Sequence, residues 1–213
     1  MKNSLKLFLL FVIFSSQFAF AQKAKKGWYT LYDGKSFDGW KVNDDSPSSF
    51  SIADDGTIKI AGPRTHLFYE GPVGNHNFKN FEFKITAKTE TGSNSGIFIH
   101  TAYQAKGWPS KGYEIQVNQS HTDWRRTGSL YGVDDVKDTL AKDNEWYTYH
   151  VIVKGKNIVI KINDKVAVNY TEPAELPVDR KDKRLSSGTF ALQAHDPKSI
   201  AYFKDIKVKI LKD

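Results

Sequence analysis

The chain has 213 residues, a formal net charge of +7 and no cysteine. Disulfides are therefore excluded and packing alone must hold the fold, for which the length allows one domain with a sizeable core. The basic excess is scattered as single lysines on alternate positions, as at Lys207 and Lys209. That excludes the clustered stripe a nucleic-acid partner requires, because the one basic run, Arg180–Arg184, is broken by Asp182 and reads as a loop.

The N-terminus reads as an address. Lys2 and Lys6 give a positive start, Leu7–Phe14 is an unbroken apolar run, and Ala19-Phe20-Ala21 offers the small residues of a cleavage site. The run is far short of the roughly 20 apolar residues that span a bilayer. The expectation is a signal peptide over residues 1–21, a disordered lead-in over 22–26 and a single domain over 27–213. The mature protein is expected in the periplasm or secreted, with no membrane span.

From there every predicted element is a strand. Trp28–Asp33 leads into the turn Asp33-Gly34-Lys35, and Ser36–Trp40 follows. Phe50–Ile60 reads as a hairpin around Asp54-Asp55-Gly56, an Asp-Gly pair between apolar residues. Phe81, Phe83, Ile85 and Ala87 alternate with Glu82, Lys84, Thr86 and Lys88, the period of a half-buried strand. Gly96–Tyr103 and Gly112–Asn118 form a central pair. His121–Thr139, rich in Gly and Asp, reads as a long functional loop. Trp146–Val153, Asn157–Asn163 and Val166–Tyr170 read as a meander, Pro173–Ser187 as a polar connection, and Gly188–His195 and Tyr202–Leu211 as closing strands, with Ile206, Val208 and Ile210 inward. Trp40 and Trp146 are expected in the core. No segment shows a helical period, and many short strands with turn signals predict an all-β, two-sheet antiparallel sandwich.

Strand side chains point to opposite faces with a period of two. Ile97 and Ile99 therefore oppose Phe98 and His100; Tyr113, Ile115 and Val117 oppose Glu114, Gln116 and Asn118; Phe190 and Leu192 oppose Ala191, Gln193 and His195. If these three strands share a sheet, His100, Glu114, Gln116, Gln193 and His195 project from one face. Alternating polar residues usually mark a plain solvent face, but Lys, Thr and Ser dominate the outer positions elsewhere in this chain. A groove of amides, imidazoles and a carboxylate suits a sugar, whose hydroxyls need directed donors and acceptors. Glu114 and His195 are the candidate catalytic groups; His100, Gln116 and Gln193 are candidate substrate contacts. Trp108, Trp124 and Tyr131, on flanking loops, are candidate stacking platforms. A bound divalent metal ion is compatible with this set, although spacing does not define its ligands. His66, His76 and His150 read as structural or surface residues.

Six segments carry a family resemblance: Leu31–Trp40 (LYDGKSFDGW), Asn94–His100 (NSGIFIH), Gly112–Val117 (GYEIQV), Gly128–Gly132 (GSLYG), Leu192–Asp196 (LQAHD) and Tyr202–Ile206 (YFKDI). Together, between Gly27 and Leu211, they resemble the 3-keto-disaccharide hydrolase domain family. The resemblance implies a concanavalin A-like jelly roll, an exported protein, and action on glycosides oxidised at carbon 3. His100 and Asn118 depart from the Arg and Asp that many relatives carry there. The implied chemistry is proton removal at carbon 2 and loss of the carbon-1 substituent, with water adding afterwards in a net hydrolysis; either Glu114 or His195 is the base. The alternative is a non-catalytic carbohydrate-binding module using the same groove.

Overall fold

The computed structural model describes residues 26–177 and 183–213. The expected signal peptide and all but Lys26 of the lead-in lie outside the described residues. Thirteen strands build two antiparallel sheets. In chain order they are β1 Tyr29–Thr30, β2 Trp40–Val42, β3 Phe50–Ile52, β4 Ile58–Ala61, β5 Thr65–Tyr69, β6 Phe81–Thr89, β7 Asn94–Thr101, β8 Tyr113–Asn118, β9 Tyr147–Lys154, β10 Asn157–Ile162, β11 Lys165–Thr171, β12 Thr189–Ala194 and β13 Ile200–Ile210. The larger sheet runs β11-β10-β9-β6-β13-β4-β3, with β1 also on β13; the smaller runs β2-β5-β12-β7-β8.

The core lies between the inner faces. Phe83 of the larger sheet stacks on Phe190 of the smaller at 4.4 Å between centroids, and Phe78 stacks on the same ring at 4.7 Å. Ile85, Val151 and Val208 on one side, and Leu67, Ile97, Ile115 and Leu192 on the other, are buried. Alternation on β6, β9 and β10 follows the pattern legible in the sequence, and the hairpin forms with Phe50 opposite Ile60.

Several expectations change. Trp40 is buried, its indole N–H donating to Leu31 O at 2.7 Å, but Trp146 is exposed at the surface between Lys88 and Lys204. Ile206 and Val208 face inward while Ile210, the last residue of β13, is exposed. The strand β5 was not anticipated. Its five residues are all buried, so no alternation marks it.

His100 is the largest correction. The β7–β12 register shifts between Thr189 and Ala191, and His100 adopts φ +53°. This bulge turns the ring off the outer face. Its Nε2–H donates to Lys79 O (2.9 Å), its Nδ1 accepts from Ser186 N–H (3.2 Å), and the ring sits edge-on to the core residue Phe81. Burial, which outweighs the bond to Lys79 O, lowers its pKa to about 4, so the imidazole is neutral. His100 joins the sheet end to two loops instead of contacting a ligand in the groove.

Candidate active site

The outer face of the smaller sheet is laid out in rows. Pairing of His66 with Gln193, of Leu192 with Ile97 and of Gly96 with Gln116 places His66, Gln193, Gly96 and Gln116 side by side. The next row is Phe68, Ala191, Phe98 and Glu114. The missing side chain at Gly96 is what brings the rows together. Gln193 Nε2 donates to Glu114 Oε1 at 2.7 Å, over the glycine, and a Cβ there would lie 2.6 Å from that oxygen.

A pocket of about 410 Å³ opens over these residues, within the range of small-molecule sites. Asn94, Glu114, Gln116 and Gln193 are its polar lining from the sheet; Trp108, Pro109, Tyr131 and Val133 line it from two loops, with Lys183 and His195 completing it. The lining is buried yet incompletely paired. Neither side-chain polar atom of Gln116 has a partner, nor do Gln193 Oε1 and Asn94 Oδ1. Such groups are normally satisfied, so these four atoms call for a polar guest.

Burial pushes the Glu114 carboxyl up to about 7, against the opposing pull of the Gln193 hydrogen bond and the Lys183 ammonium. His195 is oriented differently, by a hydrogen bond of 2.9 Å between its Nδ1 and Asp196 Oδ2. Partial burial raises the Asp196 pKa, but hydrogen bonds from Ser199, His195 and the Lys198 N–H outweigh it and hold the carboxyl at about 2. An anionic partner at Nδ1 leaves His195 Nε2 as the free nitrogen, the arrangement of an imidazole set up for proton transfer.

Of the predicted residues, Glu114, Gln116, Gln193, His195, Trp108 and Tyr131 line one pocket, and His100 and Trp124 do not. Trp124 is exposed, stacked instead on Arg125 at 4.9 Å. Tyr131 is held in place by donating to Asp123 Oδ2 at 3.0 Å. The loop after β8 runs back along that strand: Gln116 N–H donates to Ser129 O, Gly128 N–H donates to Gln116 O, and Tyr131 N–H donates to Glu114 O. Asn118 organises this return. Its Nδ2 donates to Asp123 O and Arg125 O, and its Oδ1 accepts from His121 N–H and Arg126. A carboxylate could not make the two donations, which accounts for an amide at this position.

Among the pocket residues that the sequence reading did not single out are an amide and a cation, Asn94 and Lys183. Asn94 shares the parity of Gly96 and Phe98 and could have been found by extending the same rule two residues. Lys183 lies between β11 and β12, where the sequence shows no periodicity. For a cation, the donor atoms of His121, His195 and Asp196 lie within 4.8 Å of one another, an N,N,O set of a kind that divalent transition metals accept. Asp196 there already accepts several hydrogen bonds, and His121 Nδ1 accepts from Asp123 N–H.

A two-sheet antiparallel sandwich with a polar, aromatic-walled pocket on one outer face defines a glycosyl hydrolase-like or lectin-like jelly roll. Within that class the chain belongs to the family described as 3-keto-alpha-glucoside-1,2-lyase-like domains, whose model matches residues 27–209. A 3-keto-disaccharide hydrolase of Bacteroides thetaiotaomicron is 30% identical over 171 residues, 68% of this chain. The chain spans only 58% of that relative's length. Among solved structures, a candidate glycosyl hydrolase from Parabacteroides distasonis superposes with a TM-score of 0.73 at 25% identity, over 88% of this chain and 95% of that one. The carbohydrate-binding module CBM66 from Bacillus subtilis shares the fold, with a TM-score of 0.55 at 12% identity, over 79% of this chain and 94% of the module.

Proposed function

We propose that the chain is an exported enzyme that cleaves glycosides carrying a ketone at carbon 3, by elimination across carbons 1 and 2, with water addition completing a net hydrolysis. One observation carries the reading: a carboxyl with its pKa near 7 lies across a glycine from Gln193, in the same pocket as an aspartate-backed imidazole. The family supports the substrate class. The ketone acidifies the hydrogen at carbon 2. Glu114 takes that proton, the C–H electrons pass through carbon 2 onto the carbon-3 oxygen as an enolate, and the enolate then returns them to form the C1–C2 double bond as the C1–O bond breaks with its electrons leaving on oxygen. His195 Nε2 delivers a proton to that departing oxygen, and Asp196 steadies the imidazolium. Charge gathers on the carbon-3 oxygen as the proton leaves. The unpartnered amide of Gln116 and the Lys183 ammonium are the donors available to it. A general base whose pKa lies near the working pH is the efficient choice. This differs from ordinary glycosidases, which set two carboxylates across the bond. Where a divalent ion is bound, His121, His195 and Asp196 would hold it, and it would supply Lewis-acid polarisation of the departing oxygen in place of the proton from His195.

The test is a leaving-group series. Purified protein is given 3-keto-glucosides with a nitrophenol or an alkyl alcohol as aglycone. Glu114→Gln should fail on both. His195→Ala should fail on the alcohol and recover on the nitrophenol, which departs without a proton. Equal loss on the two aglycones would remove His195 from the acid role. Sugar binding without consumption of any substrate would make the chain a carbohydrate-binding module instead.

A further inference from the structure

The polar row on the smaller sheet does not stop at Gln193. Its next member is His66 on β5, in register with Gln193. Unlike Gln116 and Gln193, His66 does not reach the pocket. The Trp108 ring lies edge-on to it at 5.5 Å, Phe98 at 5.4 Å and Phe68 at 6.2 Å close other sides, and no part of the residue is accessible. Neither ring nitrogen has a hydrogen-bond partner. Burial lowers its pKa to about 4, so it is neutral, with one N–H and one lone pair both unused. An apolar ring would fill this space better, so packing gives no reason for imidazole here.

Trp108 is the cover. It is 44% exposed, touches His195 at 5.6 Å on the pocket side, and has Arg64 above it at 5.4 Å. Its loop is pegged independently of the indole. Gln104 Nε2 donates to Trp108 O, Gln104 Oε1 accepts from Ser110 N–H, and Gly107 N–H donates to Asp45. The ring can therefore turn about its own side-chain bonds while the loop stays in place. With strands about 4.8 Å apart, the row from Gln116 to His66 spans about 14 Å, against about 10 Å for the open part from Gln116 to Gln193.

We propose that the pocket continues beneath Trp108 as a second sugar subsite: the indole swings aside, His66 hydrogen-bonds a hydroxyl of the second ring of a two-ring ligand, and the indole stacks on that ring. This rests on the carbohydrate reading above and adds to it where the second ring of a two-ring ligand would sit.

The experiment titrates the full chain calorimetrically with methyl glucoside and with a glucosyl-glucose disaccharide. Neither is oxidised, so the carbon-2 hydrogen is not acidified and neither is consumed. The wild type should bind the disaccharide at least about tenfold more tightly. In His66→Phe, which keeps the ring and removes both nitrogens, that ratio should fall to about twofold while the thermal midpoint rises. In the wild type, the ¹⁵N signals of the His66 ring should move with the disaccharide and stay put with methyl glucoside. Equal affinity for both sugars, an unchanged ratio in His66→Phe, or a His66 ring blind to the disaccharide would overturn the subsite alone. Failure to bind either sugar, and equally the 3-keto form of either in the Glu114→Gln chain, would overturn the subsite and the carbohydrate reading together. If His66→Phe does not fold, the ring signals of the wild type decide.

Discussion

The two sheets turn their outer faces to opposite sides of the sandwich, and the same period-two alternation gives opposite results on them. On the larger sheet the outward polar groups are paired and partly solvated. Glu82 accepts from His150 at 2.9 Å and Lys209 at 3.0 Å, and lysines lie over Trp28 and Trp146. On the smaller sheet the outward groups are buried and left short of partners: both polar atoms of Gln116, one of Gln193, both of His66. A satisfied polar face is a surface; a buried, unsatisfied one needs something that is not the protein. Alternation identifies the strands, and only the balance of donors and acceptors identifies which face is the site.

The comparison breaks most sharply at Glu114. Replacement by Gln should reduce turnover of a 3-keto-glycoside by about 10³-fold, the scale of a lost general base, whereas Lys84→Ala on the opposite face should leave it unchanged. Gly96→Ala should come next, at about 10²-fold. Its Cβ would stand 2.6 Å from Glu114 Oε1, so the carboxylate must move, and displacements near an ångström have that effect on positioned groups. The mobile end of a side chain can yield, so the variant should remain folded. A Gly96→Ala enzyme with full turnover would mean that the Glu114–Gln193 contact is not part of the chemistry.

Glu114 also links the site to stability. Its pKa lies near 7 in the folded chain, against an ordinary 4.5. Between those two values the folded chain keeps a proton that the unfolded chain has lost. Stability therefore falls as pH rises through that window, by up to about 1.4 kcal/mol per pH unit. Glu114→Gln removes the slope. The variant should match the wild type below pH 4.5 and exceed it above pH 7 by about 3 kcal/mol in urea titrations, while wild-type kcat/KM climbs through pH 7 as the base ionises. Parallel stability curves for the two proteins would show that this carboxyl is not held protonated by burial. Gln116→Leu should act in the same sense but less, gaining about 1 kcal/mol because two unpartnered polar atoms disappear, and weakening sugar binding.

Where one face of a strand is core and the other is water, the sequence is easily read, as for β6, β9 and β10. It fails where both faces are covered. Thr65–Tyr69 has no alternation because Leu67 and Tyr69 meet the core while His66 and Phe68 lie under loops, so the strand carrying the last member of the polar row went unseen. Parity set Glu114, Gln116 and Gln193 on one face because no bulge intervenes among them, and His195, just past the end of β12, lines the same pocket. Parity misplaced His100 because one residue at positive φ resets the count, and nothing local to Ile99-His100-Thr101 signals that. The signal lies in two distant glycines, Gly112 and Gly188, where a Cβ would come within 2.2 Å of the bulged backbone. Lys183 was illegible for a plainer reason, since its stretch of sequence has no period from which a face could be read.

The smallest expected effect falls on the larger sheet and tests the other half of the comparison. Glu82 receives both His150 and Lys209, and its carboxyl lies below the usual range because those hydrogen bonds and charges outweigh the burial that raises it. It therefore lends stability above its unfolded pKa that is lost as pH falls through the folded one. The three side chains are partly exposed, so the network is screened, and Glu82→Gln should cost no more than about 1 kcal/mol at neutral pH, less in high salt. Turnover and sugar affinity should not move. If Glu82→Gln changed either one, the outer face of the larger sheet would be coupled to the pocket through the core, and the division between a satisfied surface and an unsatisfied site would fail.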